Sequence, residues 1–158
     1  MDENLKYDLK QVPSPCYVLI EEFLINNLQK LNYIQQNAGV KIICALKGFS
    51  MWSVFPILKQ YLSGATASSL NEAKLIKEYF GDKAHSYCPV YLPNEFEQIA
   101  SLSSHLTFNS ISEYHRYISL IRENHPDISC GIRINPEYSE ITTNIYNPAI
   151  PESRLGVN

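Results

Sequence analysis

The chain has 158 residues, 45% of them hydrophobic and 18% charged, which is enough apolar content for one buried core. A net charge of −3 and the lack of a basic stripe with interleaved aromatics point away from a nucleic-acid partner. No apolar run approaches membrane-spanning length, and Met1-Asp2-Glu3-Asn4 is polar and acidic, unlike a signal peptide, so a cytoplasmic protein is expected.

In chain order, a helix is predicted over Glu21 to Asn37, where Leu24, Leu28, Leu31 and Ile34 share a face and Gly39 suits a left-handed C-terminal residue. The run Val40 to Leu46 reads as a strand ending in Lys47, Gly48 and Phe49. Val54, Phe55, Leu58, Tyr61 and Leu62 give the next helical face, and Ala65 to Ser68 the next strand. Ser69-Leu70-Asn71-Glu72 has the form of a capping box opening a helix with Ala73, Ile76 and Phe80 on one side and Gly81 at its end. Strands at Ala84 to Val90, His105 to Phe108 and Ile128 to Ile134 then alternate with helices. One carries Phe96, Ile99 and Ala100. The other, with Ser112 as its predicted cap, carries Tyr114, Tyr117, Ile118 and Ile121. Strand and helix units at short, even spacing predict an α/β fold with a parallel sheet, either doubly wound or closed into a barrel, and the periodicity is compatible with both.

Lys47 is the first candidate functional residue. A lysine at the end of an apolar strand sits at the rim of a sheet, where desolvation lowers its pKa and makes the amine a nucleophile toward carbonyls; the bland alternative is a stem that snorkels to solvent. Arg133, near the end of its strand in Gly131-Ile132-Arg133-Ile134-Asn135-Pro136, must meet an anion if it points inward, or else forms a rim salt bridge. The stretch Glu137 to Glu152 lacks helical period and is long for a connection, which suggests an active-site loop whose Glu137, Tyr138, Glu140 and Tyr146 suit a cationic ligand. Cys16, Cys44, Cys88 and Cys130 make no Cys-x-x-Cys spacing and read as small buried hydrophobes. His85, His105, His115 and His125 show no ligand spacing, so no metal is expected.

An ordered set of motifs carries a resemblance. Ser14-Pro15-Cys16-Tyr17-Val18-Leu19, Ala45-Leu46-Lys47-Gly48-Phe49 with Met51-Trp52-Ser53-Val54-Phe55, and Thr66-Ala67-Ser68-Ser69-Leu70-Asn71-Glu72-Ala73 resemble the carboxynorspermidine (carboxyspermidine) decarboxylases. Gly131 to Glu137, Tyr146-Asn147-Pro148 and Ser153-Arg154-Leu155-Gly156-Val157 continue the match in order, over the whole chain. The resemblance implies a partial (β/α)8 TIM barrel of the alanine-racemase-like fold type III, breaking off near the sixth strand. Residues 1–20 would form a segment and strand, around Cys16 to Leu19, of a second β domain, and residues 21–158 the partial barrel.

The same resemblance implies pyridoxal 5'-phosphate as cofactor, with Lys47 as its Schiff-base lysine. By the same resemblance Arg133 would have a supporting electrostatic or orienting role near the cofactor, and Ser153 and Arg154 would lie on the cofactor's side. The family reaction is decarboxylation of a carboxylated polyamine precursor to norspermidine or spermidine, by a homodimer when full length. A complete barrel takes about 250 residues, so a chain of this length is expected to lack most of the site and to be inactive alone. Two other readings stand beside it: a non-catalytic carrier that keeps the aldehyde-binding lysine, and a structural fragment that needs its missing half. Ser69 and Glu72 read as helix-capping residues rather than catalytic ones.

Overall fold

Five short strands lie side by side in the order of the sequence, all parallel, in the computed structural model of the chain, which describes residues 12–158. They are β1 (Cys44–Ala45), β2 (Ala65–Ala67), β3 (Ala84–Tyr87), β4 (Ser103–Phe108) and β5 (Ser129–Ile132). Helices α1 (Glu21–Ala38), α2 (Phe55–Leu58), α3 (Leu70–Leu75), α4 (Phe96–Ser101) and α5 (Ile111–Asn124) alternate with them. Sequential parallel order with a helix in each crossover is the arrangement of a barrel wall, and the order never reverses as it does in a doubly wound sheet. Beyond β5, Asn135 N donates to Val157 O at 2.8 Å and Val157 N donates to Arg133 O at 2.9 Å, so residue 157 begins a further parallel pairing.

Side-chain alternation decides which face is covered. Ala65, Ala67, Ala84, Ser86, Ser103, Leu106 and Phe108 are buried on one face, against the helices. Small residues there let helices approach closely, and the Ser86 and Ser103 hydroxyls satisfy each other at 2.7 Å. Around Phe108 and Phe96, Tyr91, Tyr114 and Tyr117 make an aromatic cluster in which Phe96 stacks on Tyr117 with centroids 3.7 Å apart. Burying one such ring contributes about 1.5–3 kcal/mol, so these few residues supply much of the second half's cohesion. A second cluster, built on Leu28, Leu46, Phe55, Leu58, Ala73, Ile76 and Phe80, holds α1 to α3 against β1 and β2.

The predicted punctuation mostly forms. Gly39 and Gly81 are left-handed, and Ser69 Oγ accepts from Glu72 N while the Glu72 carboxylate reaches back to Ser68 N at 2.6 Å. Helix α3 continues into a wider π turn over Ile76–Phe80 before Gly81. Ser112 does not cap α5. Ser110 does, its Oγ accepting from Glu113 N at 3.1 Å, because the extended residue lies three positions before the glutamate whose N–H needs a partner.

Other expectations are also corrected. Ile34 on α1 is exposed, since the helix packs through Leu24 and Leu28 and no described residue covers the side that carries Ile34. Cys16 to Leu19 form no strand, for want of a partner backbone among the described residues; Tyr17 is 97% exposed and Cys16 is exposed rather than buried. Of the other cysteines Cys88 is buried, while Cys44 and Cys130 are half-buried. Met1 to Asn4 and the first part of the 1–20 segment lie outside the described residues. Replacing Ser110 by alanine is expected to cost about 1 kcal/mol in chemical denaturation, whereas Ser112→Ala leaves the midpoint unchanged.

Candidate functional site

Parallel strands bring their carboxyl ends to one edge, so residues far apart in sequence meet at one rim. Lys47 follows β1 by two residues, Ser68 follows β2, Cys88 follows β3, Asn109 follows β4 and Arg133 follows β5. The pairing of Ala45 with Thr66, Thr66 with His85, and Tyr87 with Thr107 and then Gly131 places these residues on the face away from the helices. Lys47 stands at the rim in the turn that closes on Ala45 O after β1, and Arg133 continues the alternation of β5 onto the bare face.

Lys47 is exposed, and its amine has no hydrogen bond or ion pair among the described residues. The desolvation predicted for it is therefore not supplied by the described residues, none of whose elements covers the bare face. Its charge nevertheless reaches Cys88, whose thiol is pushed up to about 11. Burial raises that thiol most, the carboxylates of Glu113, Glu72 and Glu95 add to it, and Lys47 opposes them. Cys88 donates to Ser68 O at 3.0 Å and stays a protonated, inert thiol at neutral pH.

Arg133 is fixed more tightly than the sequence suggests. Its Nη1 donates to the Tyr87 hydroxyl at 3.0 Å, and the guanidinium carbon lies 5.1 Å from the Tyr87 ring centroid. The Tyr87 hydroxyl donates to Asn109 Oδ1 at 2.8 Å. Asn109 in turn holds the segment predicted to lie beside the cofactor: Gly156 N donates to Oδ1 at 2.8 Å and Nδ2 donates to Arg154 O at 2.7 Å. Gly156 is left-handed and lies so close to the preceding chain that a Cβ there would sit 2.8 Å from Asn135 N.

Thus Arg133, Ser153 and Arg154 belong to one corner, and Lys47 stands apart from them. Four strand spacings separate it from that corner, about 19 Å measured along the sheet. Ser153 Oγ accepts from Leu155 N at 3.2 Å in a local turn, and the Arg154 side chain is exposed. Tyr87 and Asn109 were not candidates on sequence grounds. The available signal was a tyrosine at the end of one strand and an asparagine just after the next.

Between Arg133 and Ser153 the chain is irregular, apart from a 3-10 turn at Asn144–Tyr146, as predicted for the stretch 137–152. Asn135, Ser139 and Asn147 side chains each accept the backbone N–H two residues on, which gives the loop order without a ladder. Tyr138 and Tyr146 are exposed on it. At the floor of the bare face the His85 and His105 rings stack at 3.8 Å. Elsewhere His125 pairs with Glu97 at 2.9 Å and His115 is exposed on α5.

This is one wall of an α/β barrel, with a free amine and an anchored arginine on its inner rim. Over nine-tenths of its length the chain is homologous to carboxynorspermidine and carboxyspermidine decarboxylases, of which it spans a little over a third. It is 38% identical over 148 residues to such an enzyme of Campylobacter jejuni and 36% identical over 145 residues to that of Herminiimonas arsenicoxydans. It is also 46% identical over 149 residues to the carboxyaminopropylagmatine decarboxylase of a Synechocystis strain, covering 94% of this chain and 38% of the relative. Among solved structures, carboxynorspermidine decarboxylase from Campylobacter jejuni complexed with norspermidine superposes with a TM-score of 0.80 at 36% identity. The match covers 92% of this chain and 36% of that one. No protein-family model matches the chain. No helix among the described residues is long and apolar enough to cross a membrane.

His85 supplies a pH test of this face. Burial lowers its pKa first, the neighbouring charge of His105 and that of Lys41 lower it further, and Asp82 opposes them. A histidine whose folded value lies below its unfolded value of about 6.5 binds fewer protons when folded, so stability is full above that pH and declines as pH falls through it. Denaturant titrations at pH 7.5 and 5 are expected to show this loss, and His85→Gln to reduce it.

Proposed function

We propose that the chain is part of a pyridoxal-phosphate-dependent decarboxylase acting on a carboxylated polyamine, carboxynorspermidine or carboxyspermidine. The observation that carries this reading is Lys47, a primary amine without a partner among the described residues, at the rim beyond the carboxyl end of β1 in a sheet similar to that of those enzymes. The name of the Synechocystis relative adds carboxyaminopropylagmatine as a third substrate of the same plan, an amino acid at one end and a cationic arm at the other.

The donor set fits the cofactor. An aldehyde needs a primary amine with no competing partner, and among the described residues Lys47 has none. A phosphate group is matched by cations, and Arg133 is held in place on the same face. Lys47 would hold the aldehyde carbon, Arg133 would orient the ring side from β5, and Ser153 and Arg154 would lie along its flank. Pyridoxal phosphate, when bound, accepts the electron pair released as the substrate carboxylate leaves.

The residues of this chain do the rest of the local work. Lys47 would hold the cofactor through its amine, and as a primary amine at the rim it could also carry a proton. The Arg133 guanidinium keeps a fixed positive charge on the inner rim, because its contact with the Tyr87 ring and its hydrogen bond to the Tyr87 hydroxyl oppose reorientation. Tyr138 and Tyr146 present ring faces to a cationic arm, with Glu137, Glu140 and Glu152 on the same loop.

Three further assignments belong to the same proposal. Residues 1–20 join a second β domain, the working enzyme is a cytoplasmic homodimer, and it takes no nucleic acid. The bare inner face and the open edges at β1 and β5 favour association with the complementary part of a barrel rather than function as a lone sheet. Carbon dioxide release from the three substrates, measured with residues 1–158 alone and with a complementary downstream segment co-expressed, tests this. The account expects no release from the chain alone, release on complementation, and background levels again with Lys47→Ala. Activity that survives Lys47→Ala would remove the basis of the assignment.

A further inference from the structure

The donors and acceptors around Asn109 leave one arrangement of hydrogens. A guanidinium only donates, so the Tyr87 hydroxyl must accept from Arg133 and spend its own proton elsewhere. The partner available to it is Asn109 Oδ1, 2.8 Å away. That oxygen also receives the Gly156 N–H, and the amide nitrogen faces the Arg154 carbonyl at 2.7 Å, so a flipped amide would set donor against donor and acceptor against acceptor. Asn109 is itself anchored: its backbone N lies 3.3 Å from Glu113 Oε2, and the other oxygen of that buried carboxylate accepts from Tyr91 N at 2.7 Å. The relay thus runs from a helix-anchored carboxylate to a guanidinium on the inner rim, with a branch to the segment 154–156.

We propose that Tyr87 and Asn109 are positioning residues of this site: Tyr87 fixes the Arg133 guanidinium, and Asn109 fixes Tyr87 together with the Arg154–Gly156 backbone. The ring of Tyr87 limits where the guanidinium plane can lie, and its hydroxyl limits the direction of Nη1. Removing the hydroxyl leaves the cation present but free to turn. This inference rests on the reading of Arg133 as a residue of the cofactor site.

The test is a double-mutant cycle in the complete holoenzyme that carries this segment, with Tyr87→Phe, Arg133→Met and both together. Two quantities are read: the dissociation constant of pyridoxal phosphate for the apoenzyme, from its absorbance on titration, and kcat with saturating cofactor. Tyr87→Phe is expected to weaken cofactor binding about tenfold, the size of one hydrogen bond to a charged group, and to have no effect once Arg133 is methionine. A merely structural role would give equal losses in both backgrounds, and that result, or a silent Tyr87→Phe beside a damaging Arg133→Met, overturns the proposal. If Arg133→Met itself is silent, the placement of Arg133 in the site is what fails. Asn109→Ala in place of Tyr87→Phe repeats the cycle from the other end, so poor folding of one variant does not block the test.

Discussion

The structure depends on the one-sided burial of a parallel sheet. Ala65, Ala67, Ala84, Ser86 and Ser103 are small enough to let helices lie close over one face, while Phe108 and Leu106 fill the space beside them. Side chains alternate along the strands, apart from one irregularity at Ser104, so the same packing sends Thr66, His85, Tyr87, Thr107 and Arg133 to the other face. A register slip of one residue would bury Tyr87 and Arg133 under α4 and α5 and expose the alanines. Core and site are therefore specified by a single pattern, and the site inherits the stability of the helix-covered side.

The rim is where this wall is reinforced. Two Ser-x-x-Glu boxes, Ser69 with Glu72 and Ser110 with Glu113, close the turns after β2 and β4. Glu113 does more than cap: by binding the backbone of both Tyr91 and Asn109 it joins the turn after β3 to the turn after β4. A carboxylate 8% exposed is costly unless its oxygens are satisfied, and here backbone N–H groups satisfy both. The arginine corner is built on that rigidity. Lys47 lies beside the less reinforced edge, where among the described residues only β2 pairs its strand. An exposed amine on an uncovered face lacks the dry surroundings that activate a lysine, so its chemistry depends on what closes over the rim.

Much of this was legible in the sequence. The five strands and the helical faces of Phe96, Ile99, Tyr117 and Ile121 follow from period and length, and Gly39, Gly81 and the Ser69 to Glu72 box mark their ends. The misplaced cap at Ser112 arose because two serines lie within reach of one glutamate, and only backbone extension at Ser110 decides between them. Ile34 and Cys16 looked buried because apolar character says what a residue can cover, not whether a neighbour is there. Arg133, Ser153 and Arg154 were visible as motif residues. Tyr87 and Asn109 were not, since their meaning comes from bonds that span 22, 45, 46 and 47 residues. No local pattern records such separations.

The central claim is that Lys47 is the amine that carries the cofactor. Incubating the holoenzyme with borohydride and mapping the pyridoxyl group by peptide mass spectrometry tests it directly. The account predicts one modified lysine, at Lys47, in the peptide that follows β1. Modification confined to Lys41, or spread over surface lysines with Lys47 untouched, would contradict it.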